Sequence, residues 1–290
     1  MRPSRPLLAG LAVVVLAVLA WRESTPLAPG APPSASLDLP GGSPSATSGL
    51  GPRRDAAERA PRAPRESASR EPAASGRRAD FDFYLLSLTL EPAFCDDGNQ
   101  RIAQCRALDA EAFERTPLVL HGLWPEAREP GRYPRDCPGP RLDLQPQTRA
   151  DLGRWMPGVR EGLERHEWRT HGTCSGLDDD AYFRAAIDGT RLANEVLGDA
   201  IRDNAGRSVD AATLRRAAER LRPGFGSQLV FVCRTLRSED PAKRRRPHLL
   251  EVRLCVDDDG PGGGPGRLLS CADVDRRDQG CGGSFMIDAV

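Results

Sequence analysis

Phe81-Asp82-Phe83-Tyr84-Leu85-Leu86-Ser87-Leu88-Thr89-Leu90 is a long, mostly apolar run, enriched in aromatic side chains and stopped by Glu91-Pro92. A strand with one wet face alternates apolar with polar residues; a continuous apolar run reads instead as a central strand buried on both faces. Its partners lie downstream. Pro117-Leu118-Val119-Leu120 predicts a short second strand, with His121 at its end and a turn through Gly122 and Pro125. Leu229 to Cys233 and His248 to Val256 predict two more, joined by a polar loop. Helical spacing begins near Thr148, breaks at Pro157-Gly158, and resumes from Val159 to about His171, with Gly172 as a C-terminal cap. It returns from Asp179 to about Ile201 and from Asp210 to Leu221. The sum is an α+β domain, a central antiparallel sheet flanked by helices.

Upstream of the strand the chain changes character. Residues 1–21 combine Arg2 and Arg5 with the apolar run Leu7 to Ala20, which reads as a cleaved export signal or an uncleaved N-terminal anchor. Residues 22–79, rich in Pro, Ala, Ser, Gly and Arg, cannot bury enough apolar surface to offset chain entropy and read as a disordered linker. The folded domain is then 80–290. It holds 30 of the 41 basic and 35 of the 41 acidic residues, a net of −5. Overall charge does not draw a polyanion to such a domain, so any phosphate recognition must be local. The run Lys243-Arg244-Arg245-Arg246 reads as a solvated hairpin tip.

All eight cysteines, Cys95, Cys105, Cys137, Cys174, Cys233, Cys255, Cys271 and Cys281, fall in this domain, and an even number in an exported chain reads as four disulfides. Spacing alone leaves the pairing open. There is no C-x-x-C pair of the kind a structural metal site uses.

Three of the four histidines fall in two compact blocks, His121-Gly122-Leu123-Trp124-Pro125 and His166-Glu167-Trp168-Arg169-Thr170-His171-Gly172-Thr173-Cys174. His-Glu followed by a second histidine invites comparison with the zinc motif H-E-x-x-H. The spacing here is five rather than four, which on an α-helix sets the two rings roughly 140° apart instead of roughly 40°. Glu167 and His171, four apart, share a face better. The pattern favours metal-free acid–base chemistry: one imidazole removes a proton while another delivers one. Cleavage of RNA through its own 2′-hydroxyl is such a reaction, with Trp124 and Tyr133 available to stack on a base. Trp168 reads as core, and His248 as structural.

Together the two blocks resemble the active-site segments of the ribonuclease T(2) family of exported endoribonucleases. The likeness extends over residues 80–290, through Phe81 to Cys95, Tyr133 to Cys137, Ala181-Tyr182-Phe183 and Leu254 to Asp257. It implies an endoribonuclease of low base specificity that needs no cofactor or metal. The product would be a 2′,3′-cyclic phosphate, then a 3′-phosphate. It further implies His171 as general base, His121 as general acid, Glu167 as a transition-state partner and His166 as a phosphate ligand. Arg169 and Thr170 would help bind the substrate phosphate beside it. The implied disulfides are Cys95–Cys105, Cys137–Cys174, Cys233–Cys281 and Cys255–Cys271. The substrate would be single-stranded RNA and the enzyme a monomer in the periplasm or outside the cell. The sequence departs from the family at Thr170, where a lysine is usual, and at Leu90, where a tryptophan is usual. A rival expectation is therefore an exported RNA-binding or protein-interaction module with weak or no turnover.

Overall fold

The computed structural model describes residues 77–129, 131–260 and 264–290. The expectations for 1–21 and for the linker up to residue 76 lie outside the described residues. Arg78 and Ala79, grouped with the linker by composition, are docked on the domain. Arg78 pairs with Asp258 and lies 4.0 Å over the Phe81 ring, and the Ala79 amide donates to the Cys174 carbonyl at 2.9 Å.

Strand β1 (Phe83–Leu90) is buried at every position. Successive side chains of a strand point to opposite faces, and here each face meets a core. Tyr84, Leu86, Leu88 and Leu90 enter the main core, while Phe83 and Leu85 join a smaller one with Val230, Val274 and the Cys255–Cys271 bridge. Strands β2 (Leu118–Glu126) and β5 (Pro247–Asp258) flank β1, both antiparallel to it. Strands β4 (Leu229–Thr235) and β6 (Pro265–Leu268) pair antiparallel with β5. Strand β7 (Ser284–Met286) meets β5 in parallel at His248 and Met286, and pairs antiparallel with β3 (Ser208–Asp210). The sheet is therefore mixed, where the sequence suggested an antiparallel one.

Short helices α1 (Glu91–Phe94), α2 (Ala103–Arg106) and α3 (Ala110–Arg115) follow β1, closed by Cys95–Cys105. Helix α4 (Pro146–Trp155) leads through a 3-10 turn, Pro157–Glu161, to α5 (Leu163–Glu167) and α6 (Thr173–Ser175). Helix α7 (Asp179–Asp203) lays Tyr182, Phe183, Ala186 and Ile187 into the main core. Each such large side chain stabilises the fold by roughly 1.5–3 kcal/mol on burial. Asp178 caps α7 through the Ala181 amide and Asp210 caps α8 (Ala211–Leu221) through the Thr213 amide. The four disulfides are Cys95–Cys105, Cys137–Cys174, Cys233–Cys281 and Cys255–Cys271, the same pairs that the resemblance implies.

Two local readings are corrected. Strand β2 does not end before His121 but runs on through Gly122 and Pro125. As an outer strand it tolerates a proline, and the chain continues straight. Gly172 does not cap a helix. Its backbone is right-handed helical, and the helix ends at Gly176, whose φ of +81° is the left-handed stop. Gly172 serves packing instead: a Cβ there would stand 2.3 Å from the Trp168 ring.

Candidate active site

Two irregularities in the sheet create the site. Ser87 pairs with Gly122 and Leu88 with Leu120, so His121 is an extra residue in β2, a bulge. Counted from Leu118 and Leu120, strict alternation would send Trp124 into the main core. The extra residue puts Leu123 there instead and leaves Trp124 against the smaller cluster. A second bulge sits in β5, where Val232 pairs with Glu251 and Cys233 with Leu249, leaving Leu250 over. His121 and Glu251 thus come from the two strands either side of β1, roughly 10 Å apart at the backbone. Opposite them β1 carries only Ser87 and Thr89, and the two side chains meet, His121 Nδ1 to Glu251 Oε1 at 3.0 Å. Arg253 donates Nε and Nη2 to the other oxygen of Glu251, at 2.8 and 2.6 Å, and lies 5.2 Å over the Trp124 ring.

The second half of the site comes from the helical layer. After α5 the chain makes a wide π turn, Trp168–Gly172, in which the Thr173 amide reaches back to the Trp168 carbonyl. Trp168 is buried as expected of core, donating Nε1 to the Pro140 carbonyl at 2.9 Å. Cys137–Cys174 and the bond from the Asp136 amide to the Thr170 carbonyl, 2.8 Å, tie this turn to the loop after β2. Glu167, 2% exposed, accepts Trp124 Nε1 on Oε2 at 2.8 Å and stands 3.9 Å from His121 Nε2 through Oε1. This approach requires glycine at 122, since a Cβ there would lie 2.0 Å from Glu167 Oε2 and 2.5 Å from Trp124 Nε1. The Trp124 ring neighbours both histidines, its centroid 5.1 Å from that of His121 and 5.6 Å from that of His171.

The two histidines are biased in opposite directions. Burial works against a charge on His121, but the hydrogen bond and negative charge of Glu251, with that of Glu167, outweigh it and raise its pKa. Glu251 resists burial in turn: the bond to His121 and the charge of Arg253 bring its pKa down to about 2. The Glu251 carboxylate is therefore ionised, and His121 carries its neutral-form proton on Nδ1, facing it. His171 is pushed down to about 4 by burial first, then by the positive fields of His166, Arg135 and His121. Its Nδ1 finds no hydrogen-bond partner among the described residues. Burial raises Glu167, against the pull of His121 and Trp124.

The remaining candidates are placed unevenly. His166 and Arg169 are exposed and stand together, Nδ1 to Nη2 at 3.4 Å. The α-helical angle that would set His166 and His171 far apart does not apply across a π turn, and after burial His166 is the largest influence on His171. Thr170 lies in the same turn and is 1% exposed. Tyr133 is 40% exposed on the loop after β2. His248 is buried, with Nδ1 3.9 Å from Asp288. Lys243 pairs with Asp96 and Asp288, so the basic run is partly tied down rather than wholly solvated. Among the described residues, three potential metal ligands converge only at Asp178-Asp179-Asp180. These accept the amides of Ala181, Asp143 and Gln145 instead.

Glu251 and Arg253 were not anticipated. Their signal was two opposite charges, two apart and hence on one face, inside the otherwise apolar run Leu249 to Val256.

A histidine pair so biased, on a stapled α+β sheet, belongs to an acid–base nuclease, and the comparisons give its kind. The model of the ribonuclease T2 family matches residues 81–261. Ribonuclease I of Escherichia coli (strain K12) is 28% identical over 216 residues, covering 62% of this chain and 76% of its own length. A ribonuclease of Aeromonas hydrophila is 30% identical over 189 residues, covering 64% and 77%. Among solved structures, ribonuclease MC1 from bitter gourd seeds aligns at a TM-score of 0.53 and 25% identity, over 71% of this chain and 100% of its own. RNase NT in complex with 5′-AMP aligns at 0.56 and 24% identity, over 72% and 99%, a likeness of fold. The chain belongs to the ribonuclease T2 family. It is an endoribonuclease, and the family's reaction passes through a 2′,3′-cyclic phosphate. Four disulfides fit an exported protein.

Proposed function

We propose that His171 is the general base and His121 the general acid of this reaction. The observation that carries the assignment is their opposite bias: at mildly acidic pH His171 is neutral and free to take the 2′-hydroxyl proton, while His121 is charged and able to give one. The 2′-oxygen attacks phosphorus, the bond to the 5′-oxygen breaks, and the His121 proton passes to that oxygen. In the second step the roles exchange, with water opening the cyclic phosphate. Glu251 holds the His121 ring, and Glu167, fixed by Trp124, stands beside Nε2. Arg169 supplies positive charge for the phosphate, with His166 beside it as a further ligand.

A groove of about 340 Å³ opens beside His121, lined by Thr89, Leu120, Leu163, Arg234 and Glu251. Next to the general acid, it is the place for the nucleoside that leaves. The pocket mixes apolar wall with few directional donors, which supports low base specificity. A strand free to splay its bases and bring the 2′-oxygen into line fits the groove, so the substrate is single-stranded. The site is complete within one chain, in keeping with a monomer, and an oxidising compartment, periplasmic or extracellular, suits the staples.

Incubation with RNA in EDTA, followed by analysis of the product ends, tests the reading. Cyclic and then 3′-phosphate ends are expected, and loss of both in His121→Ala and His171→Ala. Full cleavage by either variant would refute the roles; binding without cleavage by the unaltered chain would favour an RNA-binding module.

A further inference from the structure

The groove beside His121 does not end with one nucleoside. Gln104 and Val119 line both this groove and an adjoining cavity of about 470 Å³, walled by Glu91, Arg115, Trp155 and Arg160. That volume lies within the range of small-molecule sites, and one nucleotide fits such a space.

Two buried polar atoms of this cavity's walls have no hydrogen-bond partner among the described residues: Glu91 Oε1, an acceptor, and Trp155 Nε1, a donor. Glu91 is 5% exposed, and burial raises its pKa against the pull of Gln104 and Arg160. An unsatisfied buried group is costly, on the order of 1–3 kcal/mol each. A ligand N–H would satisfy Glu91 Oε1 and a ligand carbonyl or ring nitrogen Trp155 Nε1, and nucleobase edges carry both kinds of group. Of the arginines in its walls, Arg115 and Arg160 are both exposed, and Arg115 is paired with Glu111 at 2.5 Å. Arg160 makes no ion pair among the described residues beyond its field on Glu91, which leaves a guanidinium for a phosphate. In a domain that is acidic overall, the Arg160 guanidinium gives this cavity a local positive charge.

We propose that this cavity binds the second nucleotide on the leaving, 3′, side of the scissile phosphate, so that the enzyme grips at least three consecutive nucleotides of an RNA strand. The direction rests on the assignment of His121 as the acid that protonates the leaving 5′-oxygen. The base reaches Glu91 and Trp155, and the phosphate between the two leaving-side nucleotides lies toward Arg160.

The test is a length series on the full chain. A dinucleotide is compared with trinucleotides extended on the 3′ or the 5′ side, each with a single 2′-hydroxyl so that only one linkage can be cut. The 3′ extension is expected to raise kcat/KM by about five- to tenfold, the worth of one or two net hydrogen bonds. Trp155→Phe, which removes the N–H and part of the ring, and Arg160→Ala should each abolish most of that gain and leave the dinucleotide rate unchanged. The 5′ extension should not respond to either variant. No gain on 3′ extension, or a gain that both variants retain, would overturn the proposal. Binding of the all-deoxy series separates the two readings. Affinity that grows with 3′ length on a chain that cannot cleave would sink the catalytic assignment and spare the subsite; dinucleotide cleavage with no length effect would do the reverse.

Discussion

Gly122→Ala is the smallest change that should silence this enzyme without touching a group that reacts. The new methyl carbon would be born 2.0 Å from Glu167 Oε2, 2.5 Å from Trp124 Nε1 and 2.8 Å from Glu167 Cδ. A carbon needs at least 3.0 Å, so the carboxylate must move by about 1 Å or more. Glu167 is 2% exposed and held by Trp124, so it has no free volume to move into, and the 2.8 Å bond between them must break. Overpacking of this sort costs about 1–3 kcal/mol of stability. A 1 Å displacement in an active site costs on the order of a hundredfold in rate. The measurements are kcat/KM on a dinucleotide and the urea midpoint, in a double-mutant cycle with Glu167→Ala. If the methyl acts mainly by expelling Glu167, it should cost much less where Glu167 is already gone and only the contact with Trp124 remains. Equal losses in both backgrounds, or an active Gly122→Ala enzyme, would show that the crowding does not matter.

Three further outcomes follow from the same geometry. Glu251→Gln keeps a hydrogen-bond acceptor for His121 Nδ1 but removes the charge that raises its pKa. The alkaline limb of kcat/KM should move to lower pH with KM little changed, and an unmoved limb would remove Glu251 from the mechanism. Arg169→Ala withdraws the cation beside His166, and kcat should fall by about tenfold or more; equal activity would mean the phosphate is held elsewhere. Replacing Cys137 and Cys174 together by alanine unclamps the turn carrying His171, which should cost roughly 2–4 kcal/mol by urea unfolding and lower activity as well. Unchanged stability would show that the loop is held by its hydrogen bonds alone.

The sheet and its helices were legible because burial leaves a pattern. β1 reads as doubly covered since both of its faces carry apolar side chains, and α7 shows the spacing of its buried stripe. The histidine blocks were legible as chemistry, because three such residues seldom crowd into two short segments. What escaped was geometry set by single residues. A bulge adds one position without altering which residues are apolar, so nothing in Leu118 to Glu126 betrays that His121 stands outside the ladder. A π turn likewise leaves composition unchanged while shifting every angle after it, so the α-helical angle between His166 and His171 does not carry over and the burial of Thr170 is not legible from spacing. Glu251 needed its partner from another strand before its purpose could be seen.

The bulge at His121 has an evolutionary side. Because Leu120 and Gly122 already have consecutive places opposite Leu88 and Ser87, the sheet closes without the residue between them. The proposed proton donor is surplus to the architecture, a lodger in the ladder rather than a rung. Loss of one codon would leave a more regular strand, an intact core and a cleft still able to receive RNA. On this scaffold the step from enzyme to inert RNA-binding relative is therefore short, and folding puts little pressure against it.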